Sequence, residues 1–131
     1  MAYVFDSSAI YALAKSGRTL LLVNSYTCGL AQYELGNTLL TERRLMKLIS
    51  ETEQRYLLTA ISRALGFMLV RGTRGDEQEI IDISIKYGLS FYDASYVYMA
   101  KSLGMVLVTE DNKLAKKVKG YVETLAAEEL G

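Results

Sequence analysis

Apolar positions along the chain switch between short unbroken runs and helical spacing. Residues 2–6 (Ala-Tyr-Val-Phe-Asp) are brief, aromatic and β-branched, as a buried strand would be, and Ser7 and Ser8 offer N-caps for a helix over about 9–15. Residues 25–28 predict a second short strand. From Leu30 onward, Tyr33, Leu35, Leu39 and Leu40 fall near helical spacing, which predicts a helix to about Leu45 with Glu34 in its first turns. Leu57, Leu58, Ile61, Ala64 and Leu65 mark one face of a longer helix over about 51–67. The Arg-Gly-Thr-Arg-Gly segment at 71–75 breaks that pattern. It resumes over 76–87 with Ile80, Ile81 and Ile85 inward and Gly88 as the stop. Ser90-Phe91-Tyr92-Asp93 has the Ser-x-x-acid form of a helix start, and Ala94, Val97, Ala100 and Leu103 continue the apolar face up to Gly104. Residues 105–109 are the clearest strand, 111–119 a short helix and 121–125 a final strand.

Strands that alternate with helices, with no Asn-Gly hairpin signal, predict an α/β fold: a three-layer α/β/α sandwich around a mostly parallel sheet. At 131 residues, without linker, repeat or low-complexity tract, the chain reads as one domain over 1–131. Folds of this kind bind ligands at the carboxyl ends of their strands.

Composition narrows the chemistry. The chain has no His, which removes Ser-His-Asp and Cys-His nucleophiles, an imidazole base and any His-bearing zinc site. Its single Cys, Cys28, cannot form an internal disulfide or a thiolate cluster and reads as a small buried apolar residue. The apolar runs 20–23, 67–70 and 105–108 are far short of the ~20 residues that cross a bilayer, and no secretion signal opens the chain, so a cytoplasmic protein with no membrane partner is expected. Fifteen basic residues balance fifteen acidic ones, so nucleic acid would have to be held by a local patch rather than by bulk charge.

The acids fall where the fold would gather them. Asp6 ends the first strand and Asp111 lies two residues beyond Thr109, so both project over one edge of a parallel sheet. Asp93, opening a helix, and Glu34, in the first turns of another, face the same edge under the usual right-handed connection. Each has a plainer use on its own: Asp6, Asp93 and Asp111 as helix caps, Glu34 as a solvent-facing helix residue. Together they make a four-carboxylate cluster. Two like charges ~4 Å apart repel by about 4 kcal/mol at an effective dielectric of 20, which either protonates some of the acids or draws in a cation. All-oxygen ligation favours Mg²⁺ or Mn²⁺, the ions that activate water and neutralise phosphate oxygens in phosphodiester hydrolysis.

Four segments in order, Val4-Phe5-Asp6-Ser7-Ser8, Tyr33-Glu34-Leu35-Gly36-Asn37, Leu89-Ser90-Phe91-Tyr92-Asp93-Ala94 and Leu107-Val108-Thr109-Glu110-Asp111, resemble those of the PIN-domain ribonucleases across nearly the whole chain. The resemblance is closest to the small VapC toxins of VapBC toxin–antitoxin pairs. It implies a PIN-like α/β/α sandwich and a Mg²⁺- or Mn²⁺-dependent endoribonuclease. It also implies a homodimer that acts on RNA and is inhibited by a cognate VapB-like antitoxin covering the acidic groove. Carried over by position, the metal-site and catalytic acids are Asp6, Glu34, Asp93 and Asp111. Thr109 supports the last acid, Ser7 or Asn112 orients a ligand or water, and Glu110 competes with Asp111 for the fourth role, the Thr-x-Asp spacing favouring Asp111. The 71–75 segment lies where the family varies, so substrate and partner do not transfer through it.

Local basic charge for RNA is available at Arg43 and Arg44 and on one helical face at Lys113, Lys116 and Lys117, with a solvated surface as the plainer use of those lysines. Ten tyrosines include Tyr92, Tyr96 and Tyr98, which cannot all face the core of one helix and would serve dimer packing or base stacking. A haloacid-dehalogenase-type phosphatase needs an Asp where Ser8 stands, and a receiver domain needs an acid pair and a Lys that this chain does not offer. The remaining alternatives are a PIN nuclease of RNA processing and a catalytically silent PIN-fold interaction module.

Overall fold

Val4 and Phe5 are fully buried and form the shortest of strands, β1 (Val4–Phe5), yet they occupy the centre of the sheet. The computed structural model describes residues 2–131. The other strands are β2 (Tyr26–Cys28), β3 (Leu69–Arg71), β4 (Leu107–Val108) and β5 (Thr124–Leu125). All are parallel, in the order β3-β2-β1-β4-β5, with Val4 opposite Tyr26 on one side and opposite Leu107 on the other. Strands this short hold because the apolar side chains of β1 and β4 are covered on both faces, as parallel sheets require.

Helices α1 (Ser7–Lys15), α2 (Ala31–Leu40), α3 (Glu51–Gly66), α4 (Glu77–Tyr87), α5 (Phe91–Leu103) and α6 (Asn112–Lys117) fill the connections. The strand order dictates their sides. From β1 through β2 to β3 the chain steps one way along the sheet, and right-handed crossovers put α1, α2 and α3 on one face. It then jumps back past β1 to β4 and steps the other way, which puts α4, α5 and α6 on the opposite face. The packing agrees: α1 touches α2 and α3, while α5 lies against α4 and across β1, β2 and β4. This is the three-layer α/β/α sandwich predicted from the alternation of elements. The reversal of direction at β1 and β4 opens a crevice at their carboxyl ends, because the chain leaves the two strands toward opposite faces.

Local chemistry departs from the sequence reading in several places. Helix α1 starts at Ser7 rather than near Ala9, and of the caps the sequence offered it is Asp6, whose side chain accepts from the Ala9 N–H, and not Ser7 or Ser8, that caps it. Strand β3 was not foreseen: its three residues are all exposed and show no alternation, and the apolar run 67–70 that overlaps it was read only as too short to cross a bilayer. A 3₁₀ turn at Thr19–Leu22 was also missed, and α2 continues as a π-helical turn at Thr41–Leu45. In α4 the inward residues are Ile80 and Ile83; Ile81 and Ile85, both expected inside, are exposed, Ile85 at 77%, because α4 packs chiefly against one neighbour, α5. Leu58, Tyr33 and Leu40 likewise point outward. The last two predicted strands shrink to two residues each. Other expectations hold: Gly88 and Gly104 take left-handed φ at the ends of α4 and α5, and Cys28 is buried in the core. No helix among the described residues is long and apolar enough to cross a membrane.

Candidate active site

Asp6 follows directly on β1, its N–H donating to the Val108 carbonyl of β4, so its side chain lies at the crevice between the two strands. It is only 5% exposed. Asp6 Oδ1 accepts from Ser8 Oγ at 2.6 Å and from the Ala9 N–H at 3.0 Å, and the Thr109 hydroxyl also bonds to the carboxylate. Burial nevertheless pushes the Asp6 carboxyl up to about 6; these three bonds act against the rise and the charge of Asp93 adds to it.

Asp93 sits in the first turn of α5, where Ser90 Oγ accepts from its N–H at 3.0 Å. The carboxyl is half-buried and raised, first by burial and then by the negative charges of Asp111 and Glu34; Ser90 and Lys117 pull the other way. Lys117, on α6, also donates to the Gly88 carbonyl at 3.0 Å, so its ammonium is fixed beside the turn that leads into α5.

Glu34, in the first turn of α2, accepts from the Tyr96 hydroxyl at 2.7 Å through Oε1. Tyr96 is 1% exposed, and burial followed by this bond to Glu34 moves its phenol upward, so it stays a donor. Cys28, at the end of β2, is pushed up to about 12 by burial and then by the charge of Glu34, which keeps it a thiol. Asp111 caps α6: its Oδ1 accepts from the Lys113 and Leu114 N–H groups at 2.9 and 3.1 Å, and its own N–H donates to Thr109 Oγ1 at 3.1 Å.

The fold therefore places Asp93 within electrostatic reach of Asp6, Glu34 and Asp111. They are coupled without being in contact: among the described residues, no three His, Cys, Asp or Glu side chains stand at metal-holding spacing. Mutual repulsion keeps uncompensated carboxylates apart. Several acids, one neighbouring ammonium and an all-oxygen donor set fit a hard divalent cation in chemistry, and Asp6, Glu34, Asp93 and Asp111 are the residues that would hold it.

Thr109 is buried and bridges Asp6 to the Asp111 backbone. Ser7 is half-buried and Asn112 exposed at the start of α6. Sequence reasoning missed Ser8, which bonds Asp6 directly, and it treated Tyr96 only as a packing or stacking residue; the spacing Asp-x-Ser was the one available signal for Ser8. The Glu110 carboxylate is turned to the Ala127 N–H at 2.8 Å. Of the basic residues, Arg43 bonds Gln54 and Glu51 across the α2–α3 junction, whereas Arg44, Lys113 and Lys116 are exposed.

Comparison with known proteins gives the family. The PIN domain family matches residues 3–120. The chain is 36% identical over 128 residues to exonuclease VapC9 of Pyrobaculum aerophilum, covering 92% of this chain and 89% of that protein. It is 30% identical over 130 residues to ribonuclease VapC3 of the same organism, covering 93% and 98%. The crystal structure of PAE2754 from Pyrobaculum aerophilum superposes with a TM-score of 0.78 at 32% identity, covering 98% of this chain and 92% of that one. With the fold, the match over residues 3–120 and these likenesses in agreement, the chain belongs to the PIN-domain family and is VapC-like.

Proposed function

We propose that the chain is a Mg²⁺- or Mn²⁺-dependent endoribonuclease whose metal is held by Asp6, Glu34, Asp93 and Asp111, and that it is the toxin of a type II toxin–antitoxin pair. The observation that carries this reading is the coupling of Asp93, on α5, to acids drawn from the end of β1, from α2 and from the β4–α6 loop. Asp6 and Asp93 hold their protons more tightly in part because of neighbouring negative charge, and a divalent ion answers that demand for positive charge better than Lys117. When bound, the ion supplies an activated water and neutralises phosphate oxygens at the scissile bond.

The chain's own residues do the rest. Ser8, Thr109 and the Ala9 N–H fix the direction of the Asp6 carboxylate. Tyr96 aims Glu34, and the cap on α6 fixes Asp111. Lys117 stands beside Asp93, and exposed Lys113, Lys116 and Arg44 offer phosphate contacts for RNA, with Arg43 available once released from Gln54 and Glu51. The partners proposed are an RNA substrate, a VapB-like antitoxin covering the acidic crevice and a second copy of the chain; the site of action is the cytoplasm.

The test is cleavage of labelled RNA with Mn²⁺, with Mg²⁺ and with chelator. Wild type should cut only with metal, and Asp6→Asn should lose at least 100-fold in rate. Retained cleavage by Asp6→Asn would overturn the site. Because one relative is named an exonuclease, a circular RNA is included. Opening of the circle supports internal cleavage, and degradation of linear RNA alone would replace the endonuclease reading by an exonuclease one.

A further inference from the structure

Three hydrogen bonds in series join the Asp6 carboxylate to the C-terminal segment. Ser8 Oγ donates to Asp6 Oδ1 at 2.6 Å, Ser8 Oγ in turn accepts from the Glu110 N–H at 3.0 Å, and Glu110 Oε1 accepts from the Ala127 N–H at 2.8 Å. The far end is anchored as well. Arg18 Nη2 donates to the Leu130 carbonyl at 2.7 Å, Ala127 and Leu130 are buried, and the 3₁₀ turn Ala127–Glu129 packs on α1. The PIN match stops at residue 120, so the segment that supplies the last bond lies outside the part of the chain that the family describes.

We propose that Glu110 is a positioning residue that acts through Ser8 on Asp6, and that the docked segment 126–130 holds it in that role. A serine hydroxyl has one hydrogen to give. With a lone pair of Ser8 Oγ taken by the Glu110 N–H, the hydroxyl rotor is set so that its hydrogen meets Asp6. The Glu110 carboxylate, pinned by Ala127, in turn fixes the backbone at residue 110. The same bond turns a further negative charge, immediately next to Asp111, away from an edge already crowded with carboxylates. Sequence reasoning set Glu110 against Asp111 as a rival ligand; the geometry points to a supporting role instead.

The inference rests on the metal-site reading above, and the experiment separates the two. Partners that orient metal ligands carry about 10–100-fold in metal affinity. By calorimetry, Glu110→Ala should raise the Mn²⁺ dissociation constant about tenfold, lower kcat for RNA cleavage and leave KM unchanged. Glu110→Gln, which retains an oxygen to accept from Ala127, should recover most of the loss. Because the links are in series, Glu110→Ala should add nothing in a Ser8→Ala background. Additive losses, or a Glu110→Gln as impaired as Glu110→Ala, would overturn the proposal. Amide hydrogen exchange without metal gives the second readout: the Ala127 and Glu110 amides should be protected in wild type, both should exchange at least tenfold faster in Glu110→Ala, and Ser8→Ala should release Glu110. Unchanged exchange in those variants would sink the series of links even if metal binds. Absence of Mn²⁺ binding by wild type would instead sink the metal site and leave the exchange result to decide the linkage.

Discussion

Tyr96 and Glu34, 62 residues apart, meet through a 2.7 Å hydrogen bond that joins α5 to α2, helices on opposite faces of the sheet. Asp93 lies three residues before Tyr96 on α5, so one rigid helix carries one acid of the crevice and aims another.

Tyr96→Phe keeps the ring in its buried slot and deletes only the hydroxyl. It should destabilise the fold by about 1–2 kcal/mol, since a carboxylate loses one donor but Glu34 is partly solvated. RNA cleavage should fall in kcat with KM little changed. Urea unfolding and steady-state kinetics check the pair; a pure KM effect would assign Tyr96 to substrate contact instead.

The pH dependence of stability has a definite sign. Asp6 holds its proton more tightly folded, at about 6, than at its ordinary value of 3.8, so its contribution is fully present below pH 4 and is lost as pH rises through 6. At 1.36 kcal/mol per unit the swing is on the order of 3 kcal/mol. In chelator, Asp6→Asn should therefore be more stable than wild type at pH 7.5 and lose most of that advantage by pH 4.5. Asp93 is raised in the same direction, so some slope remains. Equal differences at the two pH values would contradict the burial of an ionised Asp6.

Divalent ions should reverse that penalty. Mn²⁺ at about a hundred times its dissociation constant stabilises the fold by about 2.7 kcal/mol. The melting temperature should rise accordingly in wild type and stay flat in Asp6→Asn and Asp93→Asn. A rise of equal size in both variants would place the ion elsewhere.

Gly104 ends α5 at φ +65°, with open space where a Cβ would stand. Gly104→Ala should cost about 1 kcal/mol from backbone strain alone and lower the melting temperature by a few degrees. Being remote from the acids, it should leave metal-dependent cleavage unchanged, which makes it the control for the variants above.

What was legible in the sequence was whatever local chemistry writes down. The strand–helix order, the glycine stops at Gly88 and Gly104 and the carboxylates at strand ends and helix starts all rest on contacts within a few residues. Strand β3 was hidden because Leu69, Val70 and Arg71 lie at the sheet edge and are exposed, so burial imposes no pattern on them. Ile85 was misassigned because helical spacing gives a periodicity but not the width of the partner that covers it. Ser8 left one local signal, its Asp-x-Ser spacing from Asp6, but its link to Glu110 and the parts played by Glu110 and Tyr96 were invisible for a different reason. Their bonds span 102, 17 and 62 residues, and only the folded topology brings those partners together.

The central strand also sets an order of events during synthesis. Its neighbours are contributed by residues near 26 and near 107, so a growing polypeptide holding Asp6 has one flank open until most of its length has left the ribosome. Asp93 and Asp111 arrive late as well. A chain that has not yet made β4 therefore leaves Asp6 without one flank of its strand, and the four acids come to one edge only after residue 111 has been added.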